Sequence, residues 1–257
     1  MDQKERREYL IRELLFERKD EGRIRIPADA DGQQTLLRSL LNVRPAGPAD
    51  ERFLEVQDAY LKEAIRQKGV TALSDLKPIE NGLYLWQGDI TTLACDAIVN
   101  AANAGLTGCY VPCHDCIDNA IHTFAGVQLR YACQRIMDRQ GHEEPTGRAK
   151  ITPAFNLPCR HVLHTVGPII TGAAEKRDEE LLASCYRSCL TLAEQNGLKS
   201  VAFCCISTGV FSFPNRRAAE IAVETVRAYR ERTNSGIEVI FNVYKDIDCE
   251  IYRELLG

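Results

Sequence analysis

The chain has 257 residues, of which 45% are hydrophobic and 26% charged, and its formal net charge is −4. That composition supports one substantial core with a smaller attachment and excludes a disordered chain. The acidic balance gives no global attraction to nucleic acid or to an anionic membrane, so any phosphate site must be built locally from backbone amides.

The opening segment Met1–Glu8 is densely charged where a signal peptide would be apolar, and no apolar run in the chain is long enough to span a bilayer. A cytoplasmic protein is expected, with its eleven cysteines reduced. Tyr9, Leu10, Leu14 and Leu15 form one apolar helical stripe. Asp31 and Gln34 have the spacing of a capping box that opens a second helix through Leu36, Leu37, Leu40 and Leu41. Pro45-Ala46-Gly47-Pro48 breaks the pattern. Phe53, Val56, Tyr60 and Ala64 then mark a third helix that stops near Lys68-Gly69. Residues 1–75 read as a helical extension, a cap on the main domain, and 76–257 as that domain.

From Leu76 the rhythm changes to strands alternating with helices. Leu83–Gln87 reads as a strand ended by Gly88-Asp89, and Ala97–Ala101 as a short buried strand. Ile117, Ile121 and Phe124 share a helix face. His161–Val166 alternates like a strand and ends at Gly167-Pro168. Glu179–Gln195 reads as a helix, Ser200–Ile206 as a buried strand, Arg216–Arg232 as a helix and Ile237–Val243 as a last strand. Cys185, Cys189, Cys204 and Cys205 fall in apolar patterns, where a thiol is a small hydrophobe. This order predicts an α/β fold with a sheet covered on both faces and a ligand crevice at the strand ends.

Three loops collect the unusual residues: Gly88–Thr91, Asn100–Asp118 and Ser207–Phe211. The last is small and glycine-containing, suited to presenting consecutive N–H groups to an anion. The set Gln87-Gly88-Asp89-Ile90-Thr91, Asp96–Asn103, Ile117–His122, His164–Pro168 and Ser207-Thr208-Gly209-Val210-Phe211 resembles the macrodomain family in order and spacing, from about Leu76 to Gly257. The resemblance implies a mixed sheet sandwiched between helices, with ADP-ribose across the strand ends. It implies that Asp89 accepts from the adenine amino group beside the Ile90 amide, and that Asn103 faces the distal ribose. Ser207, Thr208, Gly209 and Val210 would wrap the diphosphate, with Phe211 packed on that ribose. Cys116, Ile117 and Asp118 would complete the ligand contacts.

One departure stands out. Where macrodomains carry a run of glycines, this chain has Gly108-Cys109-Tyr110-Val111-Pro112-Cys113-His114-Asp115-Cys116. Cys109, His114 and Cys116 supply two thiolates and an imidazole, which favour zinc over magnesium or calcium and leave the fourth position open, as catalytic sites do. Cys113 offers an alternative or a fourth ligand, which would close the site. The competing readings are three reduced cysteines in a loop, or a redox pair of Cys113 and Cys116. His122, His161 and His164 are expected to be packed, hydrogen-bonded residues outside the site.

The cluster and the helical extension resemble the zinc-dependent macrodomain branch of microbes, which removes ADP-ribose from modified proteins. The expected activity is hydrolysis of the link between distal ribose and a protein side chain, with Zn2+ as cofactor and Asn103 and Asp118 catalytic. The expected partners are ADP-ribose and a mono-ADP-ribosylated protein, with no membrane; poly(A) shares the adenylate unit, but the acidic balance argues against nucleic acid. Two other readings remain open: a reader of ADP-ribose braced by a structural zinc, and a deacetylase of O-acetyl-ADP-ribose.

Overall fold

The computed structural model describes residues 1–257. Helices α1 (Gln3–Glu17), α2 (Ala30–Val43) and α3 (Glu51–Lys68) each begin at an aspartate, Asp2, Asp29 or Asp50, whose carboxylate accepts an N–H of the first turn. For α2 the cap is Asp29, accepting from the Gly32 amide at 2.7 Å, rather than the expected Asp31. Asp31 lies inside the first turn, where its charge suits the helix dipole. The three helices bury Leu10, Ile11, Leu14, Leu37, Phe53 and Leu61 against one another in a cluster separate from the main core.

The rest runs β1 (Thr71–Ala72), β2 (Leu83–Gln87), β3 (Leu93–Ala94), β4 (Ala97–Ala102), α4 (Ile117–Ala125), α5 (Val127–Gln140), β5 (Ala149–Pro153) and β6 (His161–Val166). It continues with α6 (Lys176–Gln195), β7 (Ser200–Phe203), α7 (Asn215–Thr233), β8 (Glu238–Val243) and α8 (Asp246–Leu256). Six strands form one sheet in the order β2-β8-β7-β4-β6-β5, while β1 and β3 pair apart from it. All its pairs are parallel except β5 with β6, so the sheet is mixed as expected. The parallel strands bring their carboxyl ends to one edge, the usual place for a ligand in such sheets. No helix is long and apolar enough to cross a membrane.

Several boundaries differ from the sequence expectation. Strand β7 stops at Phe203, not Ile206; Cys204 and Ile206 remain buried, but the chain leaves the ladder and turns at Ser207, which has φ 66°. Helix α6 starts three residues before Glu179, where the Asp178 carboxylate accepts the Glu175 N–H at 3.0 Å. Five further elements, β1, β3, α5, β5 and α8, have no counterpart in the sequence reading. The buried residues of α5 include Arg130, which breaks its apolar stripe, and β5 is a short edge strand ending in proline.

Candidate active site

At the carboxyl edge of the sheet a cleft of about 360 Å³ is lined by Asn103 after β4, by Cys109, His114 and Cys116, by the start of α4 and by Ser207–Phe211 after β7. Asn242, Tyr244, Lys245 and Asp248 close it from the β8 side. Of the residues expected to bind ligand or metal, Asn103, Cys109, His114, Cys116, Ile117, Asp118, Ser207, Thr208, Gly209, Val210 and Phe211 thus share one cavity. Asp89 and Ile90 do not line it. They follow β2, whose partner β8 carries Asn242, and the Asn242 amide donates to the Gly88 carbonyl at 3.0 Å. Asp89 is engaged within the chain: one oxygen accepts from the Lys68 amine at 2.8 Å, the other from Thr91. Burial would raise its pKa, but the hydrogen bonds from Lys68 and Thr91 outweigh that and hold it below the usual carboxylate value.

The loop after β7 is shaped for an anion. Thr208, Ser212 and Phe213 spend their amides on the loop's own carbonyls, whereas those of Gly209, Val210 and Phe211 make no bond within the chain. Ile117 and Asp118, the first two residues of α4, line the same cavity, so the N-terminus of that helix borders it. Gly167 makes the close packing possible: a Cβ there would lie 2.0 Å from the Ser207 hydroxyl oxygen. Val210 is 72% exposed at the rim.

Cys109 Sγ and His114 Nδ1 are 3.6 Å apart, and the ligand atoms of Cys109, His114 and Cys116 all lie within 4.8 Å of one another. Such spacing and donor chemistry fit a zinc ion with three protein ligands. Cys113 is turned away. Its backbone has φ 53°, its Sγ lies 3.1 Å from the Ser39 hydroxyl on α2, and its amide donates to Asn42 Oδ1 at 2.9 Å. Burial, only partly offset by the Asn119 amide, pushes the Cys116 thiol up to about 11. In the absence of a cation the site therefore favours the thiol over the thiolate, and metal capture must release a proton.

The metal-type loop is fastened to the N-terminal helices. Arg38 on α2 donates to the His114 carbonyl at 3.0 Å and to Asn119 Oδ1 at 2.9 Å. Asn42 donates to Thr123 on α4, and its carbonyl accepts from Arg130, whose guanidinium lies 4.2 Å from the Tyr110 ring centroid. Gly108 (φ 86°) lets the loop pass over His122: a Cβ there would sit 2.8 Å from the imidazole.

Asp118 is buried beneath the loop. Its Oδ1 accepts from Asn100 Nδ2 at 2.7 Å, and burial raises its pKa to about 6 against that bond. The His122 Nε2 is 3.5 Å from the same oxygen. His122 is packed as expected, but both its ring nitrogens lack a hydrogen-bond partner, a departure from the expected satisfied helix residue. His164 does meet the expectation, held between Asn100 and Thr152. Burial lowers both imidazole pKa values, so each ring is neutral. Asn103 braces its own turn, accepting from the Gly105 amide and donating to the Gly108 carbonyl.

Sequence reasoning missed Asn100 as the partner of Asp118, though a polar residue inside an apolar strand is a readable signal. It also missed Tyr244, an aromatic directly after the last strand, 74% exposed and lining the cleft.

The Macro domain family model matches residues 99–222. A Treponema medium protein named protein-ADP-ribose hydrolase is 60% identical over the whole of both chains. A Staphylococcus aureus protein of the same name is 52% identical, covering 98% of this chain and 95% of that one. Among solved structures, a Trypanosoma brucei macrodomain in complex with ADP-ribose is 28% identical with a TM-score of 0.67, over 86% of this chain and 95% of that one. A mutant Oceanobacillus iheyensis macrodomain with ADPR is 39% identical with a TM-score of 0.64, over 70% of this chain and 95% of that one. Sheet order, cleft and full-length similarity agree: the chain belongs to the macrodomain family.

Proposed function

We propose that the chain is a zinc-dependent hydrolase that removes mono-ADP-ribose from modified protein side chains. The observation that carries this reading is the meeting, in one cleft, of a loop with free amides and a Cys109–His114–Cys116 set beside the buried Asp118. Relatives named protein-ADP-ribose hydrolase, similar over their full length, support it.

In this reading the diphosphate accepts from the amides of Gly209, Val210 and Phe211, and from the start of α4. Adenine lies toward Asp89 and the Ile90 amide, with the Tyr244 ring available to stack. To receive the adenine amino group, Asp89 must share or exchange its Lys68 contact. Binding energy gathered there is remote from the bond that breaks and serves to orient it. Asn103 meets the distal ribose. Cys109, His114 and Cys116 would hold zinc, which when bound supplies a Lewis acid beside that ribose. Asp118, held at one oxygen by Asn100, takes up a proton at the other as water attacks the distal ribose carbon. The bond to the protein side chain breaks, and the proton is returned to the leaving group; a pKa near 6 suits a group that must exchange protons at neutral pH.

We take residues 1–75 as a helical extension and 76–257 as the macrodomain, a division supported by the separate hydrophobic cluster of α1–α3. A reducing cytoplasmic setting is supported by the eleven cysteines, all free. The deciding experiment incubates the protein with a mono-ADP-ribosylated protein, before and after chelation, and quantifies released ADP-ribose. Tight ADP-ribose binding without release would make the chain a reader. Release of acetate from O-acetyl-ADP-ribose, with modified protein untouched, would make it a deacetylase.

A further inference from the structure

Loop 109–116 and α4 form a partition with a cleft on each side. The second cleft, of about 620 Å³, lies between α4 and the three N-terminal helices. That volume is within the usual range for small-molecule sites. Its charged lining is entirely cationic: Arg7, Arg38 and Lys68, with no carboxylate among the lining residues. Arg7 is only 7% exposed, and its Nε donates to the neutral Gln33 Oε1 at 3.0 Å. Arg38 also uses neutral acceptors, the His114 carbonyl and Asn119. None of the chain's ion pairs involves either arginine, and only Lys68 has a carboxylate partner, Asp89.

Burying a guanidinium without an anion is costly, and buried arginines are ordinarily paired. Here an unpaired, buried Arg7 and an unpaired Arg38 line the same cavity, whose floor includes the buried Leu37 and Leu61. We propose that this cleft binds a small organic anion, its phosphate or carboxylate engaged by Arg7 and Arg38 and its apolar part resting on Leu37 and Leu61. The planar fork of each guanidinium matches either anion. This site lies across the partition from the ADP-ribose cleft and does not depend on the reading given for it; Lys68 links the two, lining this cleft and holding Asp89 with its amine. Its occupant would touch Arg38, the residue that also holds the metal-type loop.

The test titrates the full-length protein calorimetrically with two probes, phenyl phosphate and benzoate, and compares Arg7→Gln and Thr35→Glu. Thr35 is an exposed residue on the cleft, so its substitution places a negative charge at the site without disturbing the core. Loss of one charge-assisted partner should weaken binding at this site by at least about tenfold, and repulsion from Glu at position 35 should do the same. Binding of phenyl phosphate alone would identify a phosphate-bearing occupant, and binding of benzoate would show that a carboxylate suffices; either supports the proposal when both substitutions weaken it by that factor. Should Arg7→Gln not fold, Thr35→Glu with an unchanged circular dichroism spectrum decides. The proposal is overturned if neither probe binds at millimolar concentration, or if binding survives the substitutions and so belongs to the Ser207 loop.

Discussion

Replacing Asp118 by asparagine should make the metal-free protein more stable while abolishing turnover. The carboxyl is 5% exposed, and burial raises its pKa from the ordinary 3.8 to about 6 even though Asn100 donates to it at 2.7 Å. The folded state thus holds this proton more tightly than the unfolded state. Stability contributed by the neutral carboxyl is complete below about pH 4 and is lost as the pH rises through about 6. The interval between those values corresponds to a ceiling of about 3 kcal/mol, at 1.36 kcal/mol per pH unit. Asparagine keeps the shape and an oxygen for Asn100 but carries no charge. In urea unfolding of chelated protein at pH 7.5, the variant should gain about 1–3 kcal/mol over the natural sequence, and the gain should vanish near pH 4. Added zinc should shrink the gain, because a nearby cation stabilises the natural carboxylate. Equal stability at pH 7.5, or a gain that ignores pH, would refute the assignment of Asp118 as a carboxylate strained by burial.

Cys109→Ala, His114→Ala and Cys116→Ala should each lose most bound zinc by elemental analysis, whereas Cys113→Ala, whose sulfur faces Ser39, should keep it. Zinc affinity measured by chelator competition should fall as the pH drops, since the Cys116 thiol, pushed up to about 11, must give up its proton to bind. Asp89→Ala should weaken ADP-ribose binding by about 1.5–3 kcal/mol in a calorimetric titration and leave zinc content unchanged. Chelation should reduce hydrolysis by orders of magnitude while AMP still binds; hydrolysis at the original rate in zinc-free protein would assign the ion a structural role.

Much of the fold was legible because its strands are short apolar runs with glycine or proline at their ends. Leu83–Gln87 and His161–Val166 have in the structure the bounds their patterns imply. Elements that depend on tertiary partners were not: α5 buries Arg130 against the carbonyls of Asn42 and Arg44, a role that residue type alone conceals. Within the site, Cys109, His114 and Cys116 converge as their spacing suggests. The spacing says nothing of Cys113, whose direction is set by its left-handed backbone and by Asn42, 71 residues earlier. The Lys68 contact of Asp89 and the arrival of Tyr244 at the cleft likewise arise from packing between distant segments.

Asn42 ties the N-terminal helices to a loop whose candidate metal ligands they do not supply. One side chain on α2 accepts from the loop at Cys113 and donates to α4 at Thr123. Order in the loop and order in the helix are consequently one event rather than two. An ion that fixes the loop raises the free energy of fraying α2, and by thermodynamic reciprocity whatever loosens α2 lowers the affinity for the ion by the same amount. A region without a single ligand atom would thereby help set how tightly an ion is held there.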